Sequence, residues 1–157
     1  MNDSGKKPAL LKHESATEGM EEMRAMPSAV DAEKSILSTF LQNTQDYVPL
    51  ALERKLRSEH FYVPAHRVLF ELILEIYDNN RPIELVSFSQ SLLDRKVPNP
   101  KGVHLPPLDR SLMEEIGGPA RLTEIYKFSA TNAHFEYHLQ LVLDKFILRS
   151  VIGTCTD

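Results

Sequence analysis

The run Phe61–Tyr77, FYVPAHRVLFELILEIY, constrains the fold more than any other stretch of this chain. Pro64 suits a first helical turn, where its missing N–H would be unpaired anyway. Ala65, Val68, Leu69, Leu72, Ile73 and Ile76 then recur at steps of three and four, the core stripe of an amphipathic helix. Phe70, Leu74 and Tyr77 widen the stripe and leave Arg67, Glu71, Glu75 and Asp78 for water. A helix this apolar is expected to be central, with the rest of the chain wrapped around it.

The remaining sequence has room for that wrapping. At 157 residues it fits one domain plus tails, large enough to bury a core without staples. Hydrophobic residues make up 42% and charged ones 25%, an ordinary globular balance. The formal net charge is −4 and no basic stripe is visible, which argues against direct nucleic-acid binding. Cys155 is the single cysteine, so no intrachain disulfide and no cysteine zinc site can form. No segment approaches the ~20 apolar residues of a membrane span. The first 26 residues lack the apolar region of a signal peptide, so the expected location is cytoplasmic.

Residues 1–26 are polar and weakly patterned and read as a mobile tail. Ser28 and Asp31 have the spacing of a capping box, and Val30, Ile36, Leu37, Phe40 and Leu41 predict a helix over 28–43, with Glu33 the polar exception. Asn43–Asp46 reads as a break, with Asp46 capping a second helix over 47–57. The central helix spans 64–78, and Asn79–Pro82 is a turn. A fourth helix covers 85–95 with Phe88, Leu92 and Leu93 inward. The Pro- and Gly-rich stretch 97–113 is an exposed loop. Gly117 and Gly118 open a short helix over 119–127, and a last helix runs over 133–152. No stretch alternates as a strand, so the fold class is all-α: a globular domain over 27–118, then a helical hairpin over 119–152.

The last helix has two apolar stripes. At about 100° per residue, Phe135, Leu139, Val142, Leu143 and Phe146 share one face, and Tyr137, Leu141, Leu148 and Ile152 the nearly opposite one. One stripe is enough for a helix on a monomer surface. Two stripes predict two packing partners, the preceding helix and another subunit.

Catalytic patterns are absent. The six glycines are scattered, with no G-x-x-x-x-G-K-(S/T) to cradle nucleotide phosphates, no G-x-S-x-G and no H-E-x-x-H. His134 and His138 stand at the spacing of a metal clip, but Phe135 holds the place of the glutamate that a catalytic zinc helix needs. His66 is expected to bond locally at the start of the central helix. Glu21–Glu22 and Glu114–Glu115 are adjacent and so point in different directions, which makes them poor acid–base pairs. The residues alone describe an assembly or docking module with no catalytic, metal or cofactor site.

Five segments carry a resemblance. The central run is similar to F-Y-x-P-A-H-R-x-(I/L)-(F/Y) of the N-terminal domain of bacterial replicative DNA helicases of the DnaB type, through Phe61, Tyr62, Pro64, His66 and Arg67. Pro27–Leu37 resembles the family's opening P-x-(N/S)-x-E-A-E, Arg81–Ser87 its P-(I/V)-D-L-V-(T/S) turn, and Glu115–Gly118 its E-(I/V)-G-G. Thr131–Ala133, Tyr137, Val142, Lys145 and Arg149 resemble its final stretch. The five occur in the family's order and cover about 27–152. The stretch 97–113 is longer than the family's link, the tail 1–26 is unusually long, and a RecA-like ATPase domain is missing. Residues 153–157 are thus expected to begin the linker to such a domain.

The resemblance implies an all-helical collar domain that dimerises through its final hairpin, three dimers crowning a hexameric ring, and that docks primase and a helicase loader. ATP and magnesium would act only in the missing domain of a parent DNA-unwinding enzyme; membranes would play no part. Expected hairpin or subunit contacts are Tyr126, Phe128, Phe135, Leu139, Val142 and Phe146. The alternatives are the helicase-binding module of a primase, whose fold is similar, and an unrelated helical enzyme using a metal at His134 and His138.

Overall fold

The computed structural model describes Met26, residues 28–106 and residues 108–156. The tail reading of 1–26 therefore falls, apart from Met26, outside the described residues. The described residues form seven α-helices in order: α1 (Val30–Gln42), α2 (Thr44–Glu53), α3 (Pro64–Asp78), α4 (Leu85–Asp94), α5 (Leu112–Glu115), α6 (Pro119–Tyr126) and α7 (Phe135–Thr156), with a 3₁₀ turn at Ser58–His60 before α3. Among the described residues the only β pairing is an isolated antiparallel bridge between Lys96 and Ser111. The all-α expectation holds.

The hub is α1 rather than α3. α1 packs against α2, α3, α6 and α7, most extensively against α7. Ile36, Leu37 and Phe40 are fully buried on it, and Glu33, Ser35, Ser38 and Thr39 are buried too. The small hydroxyl residues let neighbouring helices approach from several sides, and the hydroxyls of Ser38 and Thr39 stay paired. Thr39 Oγ1 donates to the Ser35 carbonyl at 2.9 Å, and Ser38 Oγ donates to the Tyr126 carbonyl at 2.9 Å. α3 supplies Leu69, Phe70, Leu72 and Ile73 to the same core, where Phe70 meets Phe40 and Phe61 at ring-centroid distances of 5.9 and 5.1 Å.

Several local expectations change. The Ser28–Asp31 capping box does not form, because Ala29 is the N-cap and no side chain caps α1. α2 starts at Thr44, three residues before the sequence reading, since only Asn43 leaves helical geometry (φ −144°, ψ 60°) and Thr44 Oγ1 is tied back to the Phe40 carbonyl. Leu93 is 49% exposed while Phe88 and Leu92 are buried, because the inward face of α4 follows the i, i+4 pair. The segment after α4 is closed at its base by Val97 N–H to the Arg110 carbonyl and Leu112 N–H to the Arg95 carbonyl, at 2.9 and 2.8 Å. α5 begins inside the predicted loop on a capping box between Ser111 and Glu114.

Gly117 and Gly118 join α5 to α6 with φ of +102° and +90°. Gly117 N–H and Gly118 N–H close α5 onto the Glu114 and Met113 carbonyls. Gly118 is the N-cap of α6 at ψ 175°, a conformation essentially confined to glycine. Each bond and angle here explains the glycine pair without any ligand.

Candidate functional site

The start of α3 is held from a distance. Val63 is its N-cap and offers no side-chain cap. The carboxylate of Glu33, reaching across from α1, accepts the Tyr62 N–H at 2.6 Å and the Val63 N–H at 3.3 Å. Its Oε2 also lies 2.7 Å from His66 Nδ1, which places the ring proton on Nδ1, since the oxygen accepts. Glu33 and His66 are 1% and 2% exposed. His66 thus bonds a residue 33 positions away, not a local group. The contact supplies an N-terminal cap through tertiary packing. Arg67 Nε donates to the Phe61 carbonyl at 2.7 Å and fixes the same corner.

α7 shows the two faces expected from its sequence except at Leu141, which was expected on the outer stripe and is half-buried against the core. Phe135, Leu139 and Val142 are 3%, 1% and 1% exposed. Phe135 lies edge-on to Phe40 and Tyr47, with centroids 5.7 and 4.8 Å apart. On the other face Tyr137 is 66% exposed, Leu148 47% and Ile152 39%, joined by Ile147 at 58% and Val151 at 55%. From Ile147 to Cys155 all residues except Arg149 and Gly153 are exposed.

The six expected contact residues therefore divide. Phe135, Leu139 and Val142 face the chain's own core. The partner of that face is α1, and α6 likewise lays its buried Leu122 and Ile125 toward α1, so the last two helices meet through the hub. Tyr126 and Phe146 are half-buried and Phe128 is 39% exposed. Lys34 Nζ stands 5.3 Å from the centroid of Phe128, and Phe146 packs edge-on to His60 at 4.5 Å. The exposed residues Ile147 and Val151 were not among those expected. The sequence carries their signal as apolar positions flanking Leu148 and Ile152, which widen the second stripe.

Where Phe146 meets the head, Arg149 completes a cluster. Its Nη2 donates to the His60 carbonyl at 2.8 Å, and its guanidinium carbon lies 5.4 Å from the Tyr62 ring centroid and 5.8 Å from that of Phe146. Burial draws Arg149 below its usual value, a pull that the charge of Glu33 opposes. Burial also lowers His60, against a hydrogen bond to the Arg57 carbonyl, which favours the charged ring. Burial, then the neighbouring His134, lowers His138.

Among the described residues no group of three or more His, Cys, Asp or Glu side chains comes together as a metal site needs, and the His134 and His138 rings lie 6.4 Å apart, centre to centre. A groove of about 430 Å³ between α3 and the strap before α5 is lined by Val68, Leu72, Leu112 and the Glu75–Arg95 ion pair. No helix of the described residues is long and apolar enough to cross a membrane.

The chain is similar to the N-terminal part of bacterial replicative helicases. The family model of the DnaB-like helicase N-terminal domain matches residues 25–144. The replicative DNA helicase DnaB of Geobacillus stearothermophilus is 29% identical over 134 residues, covering 85% of this chain. The replicative DNA helicase DnaC of Bacillus subtilis (strain 168) is 31% identical over 134 residues, again 85% of this chain. The chain spans only 26% of the length of either. The crystal structure of the N-terminal domain of DnaB helicase from Mycobacterium tuberculosis matches with a TM-score of 0.68 at 28% identity, covering 84% of this chain and 83% of that one. The chain belongs to the DnaB-like helicase N-terminal domain family.

Proposed function

We propose that this chain serves as the collar domain of a replicative DNA helicase, pairing subunits within a hexameric ring and docking primase. The observation that carries the pairing is the outer face of α7, which no described residue buries: Tyr137, Ile147, Leu148 and Val151 stand exposed on a helix whose opposite face is in the core. Clustered exposed apolar side chains on one face of a helix mark an interaction surface. Family membership supports a second copy of the chain as one occupant. Unwinding, with ATP and magnesium, belongs in this reading to another part of the parent protein, because this chain has no phosphate-cradling loop. The same reading places the chain in the cytoplasm, with primase and a helicase loader as further partners and no direct hold on nucleic acid.

Phe128, 39% exposed, and the half-buried Tyr126 and Phe146 are proposed as further contacts at the margin of the pairing surface. Sedimentation velocity over a concentration series tests the proposal. Wild type is expected to shift from monomer to dimer or higher at micromolar concentration, and Leu148→Asp to remain monomeric with an unchanged helical spectrum. Wild type that stays monomeric at high micromolar concentration would overturn the pairing. Titration with the C-terminal domain of a bacterial primase tests docking, and absence of binding to the assembled form would remove that part.

A further inference from the structure

α7 leaves the head of the molecule at one defined place. Its first three turns are anchored by Phe135, Leu139 and Val142, whereas Ile147, Leu148, Val151 and Ile152 beyond them are exposed. Between these stretches lies the cluster of His60, Tyr62, Phe146 and Arg149. The guanidinium donates to the His60 carbonyl at 2.8 Å and lies between the rings of Tyr62, on the turn before α3, and Phe146, one turn back on α7. The turn that carries His60 and Tyr62 is itself fixed. Glu33 accepts the Tyr62 N–H, Arg67 holds the Phe61 carbonyl, and His60 Nδ1 accepts the Arg57 N–H at 2.8 Å. A planar cation that stacks on aromatic faces and donates to a fixed carbonyl sets an orientation as well as an attraction.

We propose that Arg149 is a positioning residue: seated between Tyr62 and Phe146 and bonded to the His60 carbonyl, it sets the direction in which the outer half of α7 leaves the head. Phe135, Leu139 and Val142 fix the first turns to α1, and Arg149 adds a contact about two turns beyond Val142, nearer the exposed end. Burial already lowers Arg149 from its usual range, as expected for a cation seated among ring faces. The direction of the outer half then decides whether its apolar face meets a second copy squarely. That consequence rests on the pairing reading above, whereas the positioning itself does not.

The chain provides its own probe, since the exposed Cys155 is its single cysteine and lies near the end of α7. A second cysteine at Val86, 83% exposed on α4, gives a pair for distance measurement by pulsed electron resonance. The spin-labelled chain is diluted into excess unlabelled protein, so that only distances within one chain are read. The expected result is one narrow distance distribution in the parent, broadened at least about twofold in Arg149→Met and in Tyr62→Ala, as for a helix end released from its tertiary contact. Tyr62→Phe, which keeps the ring, should stay narrow. Cooperative thermal melting of each variant verifies the fold, and if Arg149→Met does not fold, Tyr62→Ala decides. Distributions of unchanged width in the folded variants would overturn the proposal. A monomeric wild type in sedimentation would remove the pairing reading and leave this comparison intact.

Discussion

α1 carries Glu33, Ser35, Ser38 and Thr39 on its inside, whereas the outer half of α7 carries Ile147, Leu148, Val151 and Ile152 on its outside. Hydropathy alone would place the two segments the other way round. The difference lies in partners. Glu33, Ser38 and Thr39 on α1 each meet a donor or acceptor, and no fully buried side-chain nitrogen or oxygen among the described residues lacks one. Burial then costs little. On outer α7, Ile147, Leu148 and Val151 stay 58%, 47% and 55% exposed, with no surface among the described residues that buries them. The comparison shows that which face is buried follows from available partners, and that an apolar face left open inside a well-satisfied fold points to a partner outside it.

The largest expected effect breaks the α1 side of the contrast. Glu33→Ala leaves the Tyr62 and Val63 N–H groups and the His66 ring without their acceptor in a dry site, and should cost about 3–5 kcal/mol in urea unfolding. A loss below about 1 kcal/mol would mean that the carboxylate is not the cap of α3. Ser38→Ala is expected to be smaller, about 1–2 kcal/mol, because it removes one donor to the Tyr126 carbonyl and the acceptor of the Ser129 N–H. Gln42 Nε2 still reaches the Tyr126 carbonyl at 2.7 Å, which limits the loss.

The smallest effect is a pH dependence. His60 and His138 both lie below the ordinary value of 6.5, chiefly through burial. The unfolded chain therefore takes up these protons near pH 6.5, while the folded chain takes them up only at lower pH. Between those points the unfolded state holds more protons, so stability present above pH 6.5 is lost as pH falls through the folded values. Thermal melts at pH 7.5 and 5.5 should show the drop, and replacing both histidines by glutamine should flatten it. Glu75 and Glu124 are lowered by Arg95 and Lys34 from 4.5, so they respond below this window.

Much of the fold was legible in the sequence where one rule sufficed. The 3.6-residue period located α1, α3, α4 and α7, the capping pattern at Ser111–Glu114 was there to be read, and the two stripes of α7 mapped onto a covered and an uncovered face. The position of Glu33 in the α1 stripe looked like an exception, because its partners lie 29 to 33 residues away and local spacing carries no trace of them. The same limit hid the hub. α3 has the more apolar sequence, but α1 has the more partners, through small hydroxyl residues that hydropathy undervalues. Among the expected contact residues, Phe135, Leu139 and Val142 were placed on a real stripe, and only the tertiary structure tells which stripe the chain keeps for itself.

The central claim is that the uncovered face of α7 is completed by a second copy, and hydrogen exchange at increasing protein concentration tests it most directly. Amides over 135–146 should be protected at every concentration, being anchored on α1. Amides over 147–155 should exchange quickly in dilute solution and slow as concentration rises through the association range seen in sedimentation. Exchange over 147–155 that is independent of concentration, with the same protection dilute and concentrated, would contradict the account.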